Sequence, residues 1–406
     1  MNAKIFKFVL CGLLSLCVAL LSGCERGQDL GLADEMMTSA DETDRPTLQV
    51  GLLQPRGHYE DYARGAKLAQ TEINESGGIL GMPVDLIERD NRPATGAFPD
   101  PTTSAFTVQV AQELVTAENV VALLGPVYST NALQLASAIE VPILTGATGT
   151  HVTEAGEFIF IVGASSALHG ELMAQFAIEE LKAKTGAMIH QADDVYSIDL
   201  IEAFNANFQA LGGEIIVADV YNVGDTTFRT QLEQVQAAPP DVLFLASFAP
   251  EVPLLMKAAR DMGITTTFIG GGGMDDPENM FSTLADNAPL EGTYYTTNLY
   301  KTLDDPDAPR FIDAYKAMFG TAPSGVSASG YDGLYLLKIG IETALSTDPI
   351  AIRDAIAAIT NYRGATLISH YNENRQPVKS VGVLAIRNGR PEPYAVVAPA
   401  PMDPPE

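Results

Sequence analysis

Two neighbouring segments of the sequence end in small residues that carry hydroxyl and amide groups. Residues 123–131 read LLGPVYSTN, and residues 142–150 read PILTGATGT. Each is a short apolar run that breaks into Gly, Ser, Thr or Asn, and such turns offer backbone N–H groups and hydroxyls to a carboxylate or an amide. Covalent catalysis is not expected, because Ser129 has no G-x-S-x-G turn around it and no His or Asp at a motif spacing.

The elements around these turns alternate between strands and helices. We predict strands at 47–53, 84–89, 120–124, 142–145 and 158–162, with helices at 61–75, 103–117 and 130–140 between them. A second run predicts helices at 168–184, 198–211, 228–236 and 252–262, with strands at 187–190, 214–221, 241–246 and 267–270. This rhythm predicts an α/β fold with two lobes, each a mostly parallel sheet flanked by helices.

In such sheets ligands bind beyond the carboxyl ends of the strands, which is where both hydroxyl-rich turns fall. Taken alone, Ser129 or Thr130 is better explained by capping of its own helix. Two such turns on adjacent strands favour a binding site over that alternative.

The N-terminal residues predict export. Lys4 and Lys7 precede an apolar run at 8–21 that is too short to span a bilayer, so we interpret 1–23 as a signal peptide. Leu-Ser-Gly-Cys at its end resembles the bacterial lipobox, which predicts cleavage before Cys24 and lipidation of Cys24. Residues 24–46 are acidic and polar, as in a flexible tether.

Composition excludes several classes of site. The three cysteines are Cys11, Cys17 and Cys24, so the processed chain has no disulfide and no Cys-based metal site. A formal charge of −27 disfavours nucleic-acid binding. We expect no metal and no cofactor, since no histidine shows metal-ligand spacing. Ordinary surface or core roles are expected for His151, His169, His190 and His370.

Four segments carry a family resemblance. Three of them begin VGLLQPRGHYEDYARGAKLAQ, VVALLGPVYSTNALQLASAIEVPILTGATGT and GGEIIVADVYNVGDTTFRTQLEQVQ, and the fourth reads SASGYDGLYLLKIGIETAL. In order and spacing they resemble the type I periplasmic binding proteins of the leucine/isoleucine/valine group. The resemblance implies two lobes joined by three hinge crossovers, comprising 47–163 plus 299–376 and 164–298 plus 377–396, followed by a disordered tail at 397–406.

The resemblance also implies a function and a set of site residues. The implied protein is a monomeric, non-enzymatic solute receptor on the bacterial cell envelope, periplasmic or extracellular, that delivers a small ligand to an ABC permease. Ser129, Gly146, Ala147 and Thr148 match the positions that hold the ligand carboxylate in this family. Tyr196 and Phe248 match two aromatic positions, and core packing is the alternative for both.

The sequence departs from the amino-acid binders of that family where they place an acid for the ligand ammonium. The corresponding segment is Gly270–Gly273, which permits either a close backbone approach or a sharp turn. Asp275 is our candidate replacement, although Asp275 and Asp276 are also explained as acids at a helix start. For the loop around His58 and Tyr59 we predict solvent exposure, and the alternative is that these side chains point into the cleft.

The ligand prediction therefore stays open. A branched-chain or related amino acid leads, and a neutral amide or urea-like solute, which needs no ammonium partner, is the alternative. A non-transport envelope sensor or interaction lipoprotein on the same fold is the remaining alternative.

Overall fold

The computed structural model describes residues 46–95, 98–101, 103–300 and 307–398. The predicted signal peptide, the lipidation site Cys24 and nearly all of the predicted tether and tail lie outside these residues. None of the helices within the described ranges is both long enough and apolar enough to cross a bilayer.

The first sheet is built from the first part of the chain. Its strands are β1 (Leu48–Leu53), β2 (Val84–Arg89), β3 (Leu123–Leu124), β4 (Ile143–Thr145) and β5 (Ile159–Ile161). They run parallel in the order β2-β1-β3-β4-β5. The helices that connect them are α1 (Glu60–Glu75), α2 (Ser104–Ala117) and α3 (Ser129–Ala136). Strands β3, β4 and β5 are buried along their whole length, as expected for parallel strands packed on both faces.

The rest of the chain forms a second, larger sheet and a small third one. The strands are β6 (Thr185–Gln191), β7 (Glu214–Tyr221), β8 (Val242–Ala246), β9 (Thr267–Gly270), β10 (Tyr294–Thr297), β11 (Thr360–Arg363), β12 (Leu367–Tyr371), β13 (Pro377–Val378), β14 (Val381–Arg387) and β15 (Arg390–Val397). The second sheet has the order β15-β14-β10-β9-β8-β6-β7, and β11, β12 and β13 form the third. Strands β6 to β10 pair in parallel, whereas β14 and β15 join the edge antiparallel.

Eight helices accompany these strands within the described ranges. They are α4 (Ser166–Glu179), α5 (Val195–Ala210), α6 (Arg229–Ala237), α7 (Glu251–Asp261), α8 (Pro277–Ser282), α9 (Asp307–Phe319), α10 (Gly325–Ala344) and α11 (Pro349–Ala357).

The chain returns to the first sheet after β10. Helix α10 packs against α1 so closely that a Cβ on Gly65 would lie 1.9 Å from the Ser327 carbonyl oxygen. A Cβ on Gly330 would lie 2.0 Å from the Tyr62 carbonyl oxygen, so glycine is required on both sides of this crossing. The chain then enters the second sheet again as β14. The chain thus passes between the two sheets three times, as the predicted fold class requires, while the residue limits predicted for the lobes stay a prediction.

The predicted elements are confirmed, with differences at their ends. Helix α4 begins at Ser166 rather than at 168, because the Ser165 side chain accepts a hydrogen bond from the Leu168 N–H at 3.3 Å and so caps the helix start. Helix α3 ends at Ala136, four residues before its predicted end, and β3 is limited to Leu123 and Leu124. These differences leave the order of the elements unchanged.

Candidate functional site

A cavity lies where the carboxyl ends of the strands of both sheets meet. The space between its walls, including its open mouth, is about 470 Å³. Five of the seven residues predicted to contact a ligand line it, namely Ser129, Gly146, Thr148, Tyr196 and Phe248. We call Ser129, Gly146 and Thr148 the hydroxyl wall. Tyr59, Tyr196 and Phe248 form the aromatic wall.

Ser129 joins the two hydroxyl-rich turns instead of capping its own helix. It is the first residue of α3, and its Oγ accepts a hydrogen bond from the Gly149 N–H at 2.9 Å. Among the described residues, its hydroxyl hydrogen has no acceptor. Thr130 does not cap the helix either, because its Oγ1 donates to Asp194 Oδ1 at 2.8 Å. The capping alternative is therefore wrong for both residues, and Ser129 has a donor left for a ligand.

Tyr62 holds the two turns of the hydroxyl wall at a fixed separation. Its hydroxyl donates to the Leu144 carbonyl at 2.8 Å and accepts from the Gly125 N–H at 3.0 Å, which ties the ends of β3 and β4 together. Gly146 fits beside this ring only because it lacks a side chain, since a Cβ there would lie 2.8 Å from Tyr62 Cε2. The backbone of Gly146 therefore faces the cavity directly.

Thr148 connects the hydroxyl wall with the start of α4. Its Oγ1 lies 3.3 Å from Ser166 Oγ, and its carbonyl accepts the Ser166 N–H at 2.7 Å. Ala147, between Gly146 and Thr148, is buried away from the cavity, and its N–H donates to Thr145 Oγ1 at 3.1 Å. The structure thus brings Ser129, Gly146 and Thr148 together and leaves Ala147 behind them.

The aromatic wall is fixed by hydrogen bonds to a single residue. The Tyr59 hydroxyl donates to the Gly273 carbonyl at 2.8 Å, and the Tyr196 hydroxyl accepts the Gly273 N–H at 2.7 Å. Phe248 packs on Tyr196 with a ring-centroid separation of 4.9 Å. Tyr59 adopts a left-handed backbone conformation (φ 48°) immediately before α1, a strained geometry of the kind found at functional sites.

The solvated loop predicted around Tyr59 is wrong. Tyr59 is only 5% exposed, and its neighbour His58 lies 3.1 Å from the Tyr128 hydroxyl through Nδ1. Burial, with the nearby Arg92 charge, lowers the pKa of His58 to about 4. The aromatic rings around this loop provide the apolar contacts that a solvated loop would lack.

The glycine run at the end of β9 serves close packing. None of Gly270 to Gly273 has a positive φ, so a left-handed turn does not explain them. A Cβ on Gly271 would lie 2.5 Å from the Tyr196 hydroxyl, and a Cβ on Gly273 would lie 2.6 Å from the Ser247 carbonyl oxygen. The run therefore lets the backbone of Gly272 and Gly273 form part of the cavity wall.

Asp275 lies outside the cavity lining. Its carboxylate accepts hydrogen bonds from Thr297 Oγ1 and from the Gly325 N–H, while burial raises its pKa to about 6. Asp276 caps α8 by accepting from the Asn279 N–H at 3.2 Å, as the helix-start interpretation predicts. A ligand contact for Asp275 stays a prediction that this arrangement does not favour.

The sequence did not single out every residue of the wall. Asn298 and Ser329 also line the cavity. Asn298 Oδ1 accepts the Ala164 N–H at 2.7 Å, and Ser329 Oγ donates to the Gly325 carbonyl at 3.0 Å. His169, for which the sequence predicts an ordinary surface or core role, also lines the cavity. No sequence motif surrounds His169. The one feature that could have identified it as a site residue is its position three residues after Ser166, on the turn of α4 that contacts Thr148.

Comparison with known proteins identifies the family of this chain. The model of the periplasmic binding protein family matches residues 47–390. The chain belongs to this family. It is a type I periplasmic binding protein similar to the Leu/Ile/Val-binding proteins, and the α/β fold with two lobes is confirmed.

Individual relatives are similar over most of their length. The leucine-, isoleucine-, valine-, threonine- and alanine-binding protein of Pseudomonas aeruginosa is 26% identical, over 75% of this chain and 80% of that protein. A leucine-binding protein of Thermotoga maritima is 28% identical with a TM-score of 0.78, over 87% of this chain and 99% of that one. A branched-chain amino acid substrate-binding protein of Streptococcus pneumoniae, solved with isoleucine, is 23% identical with a TM-score of 0.78, over 87% of this chain and 100% of that one. These relatives are solute-binding proteins.

Proposed function

We propose that this periplasmic binding protein is the solute receptor of an ABC importer and that it binds a branched-chain or related amino acid in the cavity. The observation that carries the proposal is the meeting of the hydroxyl wall and the aromatic wall in one cavity at the strand ends of both sheets. The ligand carboxylate lies against Ser129 and Thr148, and its apolar side chain lies against Tyr196 and Phe248. The amino-acid ligands named for the relatives support this choice.

The hydroxyl wall suits a carboxylate for an electrostatic reason. Ser129 begins α3, so the free N–H groups and the positive end of the helix dipole lie beside its hydroxyl. Ser129 Oγ–H and Thr148 Oγ1–H add side-chain donors, and the Gly146 backbone is exposed to the cavity. Groups of this kind stabilise a negative or strongly polar oxygen without a full positive charge.

A neutral amide is a second candidate because of what the walls lack. Among the described residues that line the cavity, none has an acidic side chain to pair with an ammonium group. His169 is neutral there, since burial and the charge of Lys379 lower its pKa to about 3. A ligand with an oxygen acceptor and no ammonium group therefore fits the walls without an unpaired charge.

Four compounds with one carbon skeleton separate the two candidates. We would titrate the purified protein by calorimetry with L-leucine, L-leucinamide, 4-methylpentanoate and 4-methylpentanamide, which vary the ammonium and the carboxylate independently. The proposal predicts that leucine binds most tightly. Tightest binding of 4-methylpentanamide favours the neutral ligand instead. If the protein binds none of the four compounds and no related amino acid or amide, it is not a receptor for either class.

We also infer that the protein is exported, is lipidated at Cys24, is a monomer and delivers its ligand to an ABC permease. These rest on the signal-like segment, the Leu-Ser-Gly-Cys sequence and the family. Expression of the full chain with labelled palmitate tests the anchor: the wild type is expected in the membrane fraction with label, and Cys24→Ala without label. Label retained by Cys24→Ala contradicts the assignment.

A further inference from the structure

His169 has an unpaired ring nitrogen on the cavity wall. The residue is 1% exposed, it lies on the first turn of α4, and its ring is part of the lining. Nδ1 lies 2.7 Å from Thr296 Oγ1, whereas Nε2 has no hydrogen-bond partner. Of the buried side-chain polar atoms without a partner in the described residues, His169 Nε2 is the one on this wall. Leaving such an atom unpaired is costly, so the site is complete only with a partner for it.

The environment of Thr296 indicates which nitrogen carries the proton. Thr296 is fully buried, and within the described part of the chain its hydroxyl has His169 Nδ1 as its partner. If Nδ1 were protonated, it would donate to Thr296 Oγ1 and the hydroxyl hydrogen would be buried without an acceptor. The arrangement that pairs both groups has Thr296 Oγ1 donating to Nδ1, which leaves the proton on Nε2.

The surroundings keep the ring uncharged. Burial is the largest cause and the charge of Lys379 the second; together they lower the pKa of His169 to about 3. Lys379 is itself buried, and its Nζ donates to Thr366 Oγ1 at 2.7 Å. The imidazole therefore acts at neutral pH as a single N–H donor rather than as a cation.

The position of this donor is near the hydroxyl wall. Thr148 Oγ1 lies 3.3 Å from Ser166 Oγ, and Ser166 and His169 are three residues apart, which places them on one face of α4. On the other side, a Cβ on Gly272 would lie 3.5 Å from the ring at Cε1 and Nε2. Gly272 therefore lies directly beside this edge of the ring, and both residues line the cavity.

We propose that His169 Nε2–H donates a hydrogen bond to an oxygen atom of the ligand and so selects ligands with a carboxylate or carbonyl group at that position. The inference rests on the proposed function, because it takes the cavity to be the ligand site. Thr296 is the positioning residue, since its hydroxyl fixes the protonated nitrogen.

The test uses the same four compounds with variants of the full-length protein. His169→Leu is expected to weaken the binding of the tightest of the four by about tenfold, the effect of one hydrogen bond of ordinary strength. His169→Gln, which keeps an N–H donor, is expected to recover part of the loss. His190→Leu is the matched control, because His190 lies on β6 outside the cavity lining, and it is expected to bind as the wild type does.

A measurement on the wild type covers the case in which the variants fold poorly. Long-range ¹H–¹⁵N spectra of the imidazole are expected to show Nε2 protonated and Nδ1 unprotonated, with Nε2 shifting when the tightest compound is added. Thr296→Val is expected to reduce the population of this tautomer and to weaken binding less than His169→Leu does.

The outcomes distinguish this inference from the proposed function. Tight binding to the wild type and equally tight binding to His169→Leu overturns the role of His169 and leaves the receptor function standing. A protonated Nδ1 in the wild type overturns it as well. If none of the four compounds binds the wild type, the proposed ligand classes and this inference both fail.

Discussion

The two walls of the cavity use their polar groups differently. On the aromatic wall, the hydroxyls of Tyr59 and Tyr196 are both engaged by Gly273, so they hold the wall together. On the hydroxyl wall, Ser129 accepts one hydrogen bond from Gly149 and keeps its own hydrogen free among the described residues. The comparison suggests that the hydroxyl wall recognises the polar group of the ligand, while the aromatic wall provides shape and apolar contact.

Truncating the aromatic wall has the largest expected effect. Phe248→Ala removes a ring that is 7% exposed and packs on Tyr196 and Tyr128, so we expect the free energy of unfolding to fall by about 3–5 kcal/mol. Urea denaturation measures the loss. Phe268→Ala is the matched control, because Phe268 is buried in the second sheet away from the cavity. The two variants should lose similar stability, but only Phe248→Ala should also lose affinity; equal affinity in both contradicts an aromatic wall in the ligand site.

Removing one hydroxyl from the opposite wall should affect binding more than stability. Thr148→Ala is expected to weaken ligand binding by about 1–3 kcal/mol, the cost of leaving a buried ligand group unpaired, while the fold stays intact despite the lost contact with Ser166 Oγ. Calorimetry measures the affinity, and Thr116→Ala, on the exposed face of α2, serves as the control. Unchanged affinity in Thr148→Ala would remove Thr148 from the site.

A smaller effect is expected when the aromatic wall loses only a hydroxyl. Tyr196→Phe keeps the ring and deprives the Gly273 N–H of its acceptor, so stability should fall by about 1 kcal/mol. Affinity should fall less than in Thr148→Ala. A larger loss of affinity than in Thr148→Ala would mean that the Tyr196 hydroxyl contacts the ligand directly, and the contrast between the walls would be wrong.

Replacing Asp275 should change how the stability of the protein depends on pH. Because burial raises the pKa of Asp275 to about 6, the folded state holds this proton more tightly than the unfolded state does. The resulting stabilisation is complete below about pH 4 and is lost as the pH rises through 6. Asp275→Asn should therefore make the decline in stability between pH 4 and 7 shallower, as measured by urea denaturation across that range.

The affinity of the same variant decides whether Asp275 meets the ammonium group. We expect the affinity of Asp275→Asn for leucine to lie within about twofold of the wild-type affinity. The Asp275 carboxylate already accepts hydrogen bonds from Thr297 Oγ1 and the Gly325 N–H and lies outside the cavity lining. A loss of tenfold or more would restore Asp275 as the ammonium partner.

Much of the fold and part of the site followed from the sequence. The alternation of strands and helices predicted the parallel sheets, since strands buried on both faces are apolar throughout and helices carry a 3.6-residue period. The strand-end rule predicted where Ser129 and Thr148 meet. The sequence did not show that Ser129 would pair with Gly149 rather than cap α3, because that choice depends on the separation of β3 and β4.

The rest of the site depends on contacts between distant parts of the chain. Tyr59 reaches Gly273 across 214 residues, and His169 reaches Thr296 across 127. Neither pair has a motif, so the sequence favours a solvated loop around Tyr59 and an ordinary surface or core role for His169. The glycine run was recognised, but its packing against Tyr196 and Ser247 could be known only from the structure.

A crystal structure of the protein with the tightest of the four compounds tests the central claim most directly. The account predicts that the ligand lies in the cavity, with a carboxylate or amide oxygen within hydrogen-bond distance of Ser129 Oγ and Thr148 Oγ1 and its apolar part against Tyr196 and Phe248. A ligand bound outside this cavity, or one whose apolar end faces the hydroxyl wall, would contradict it.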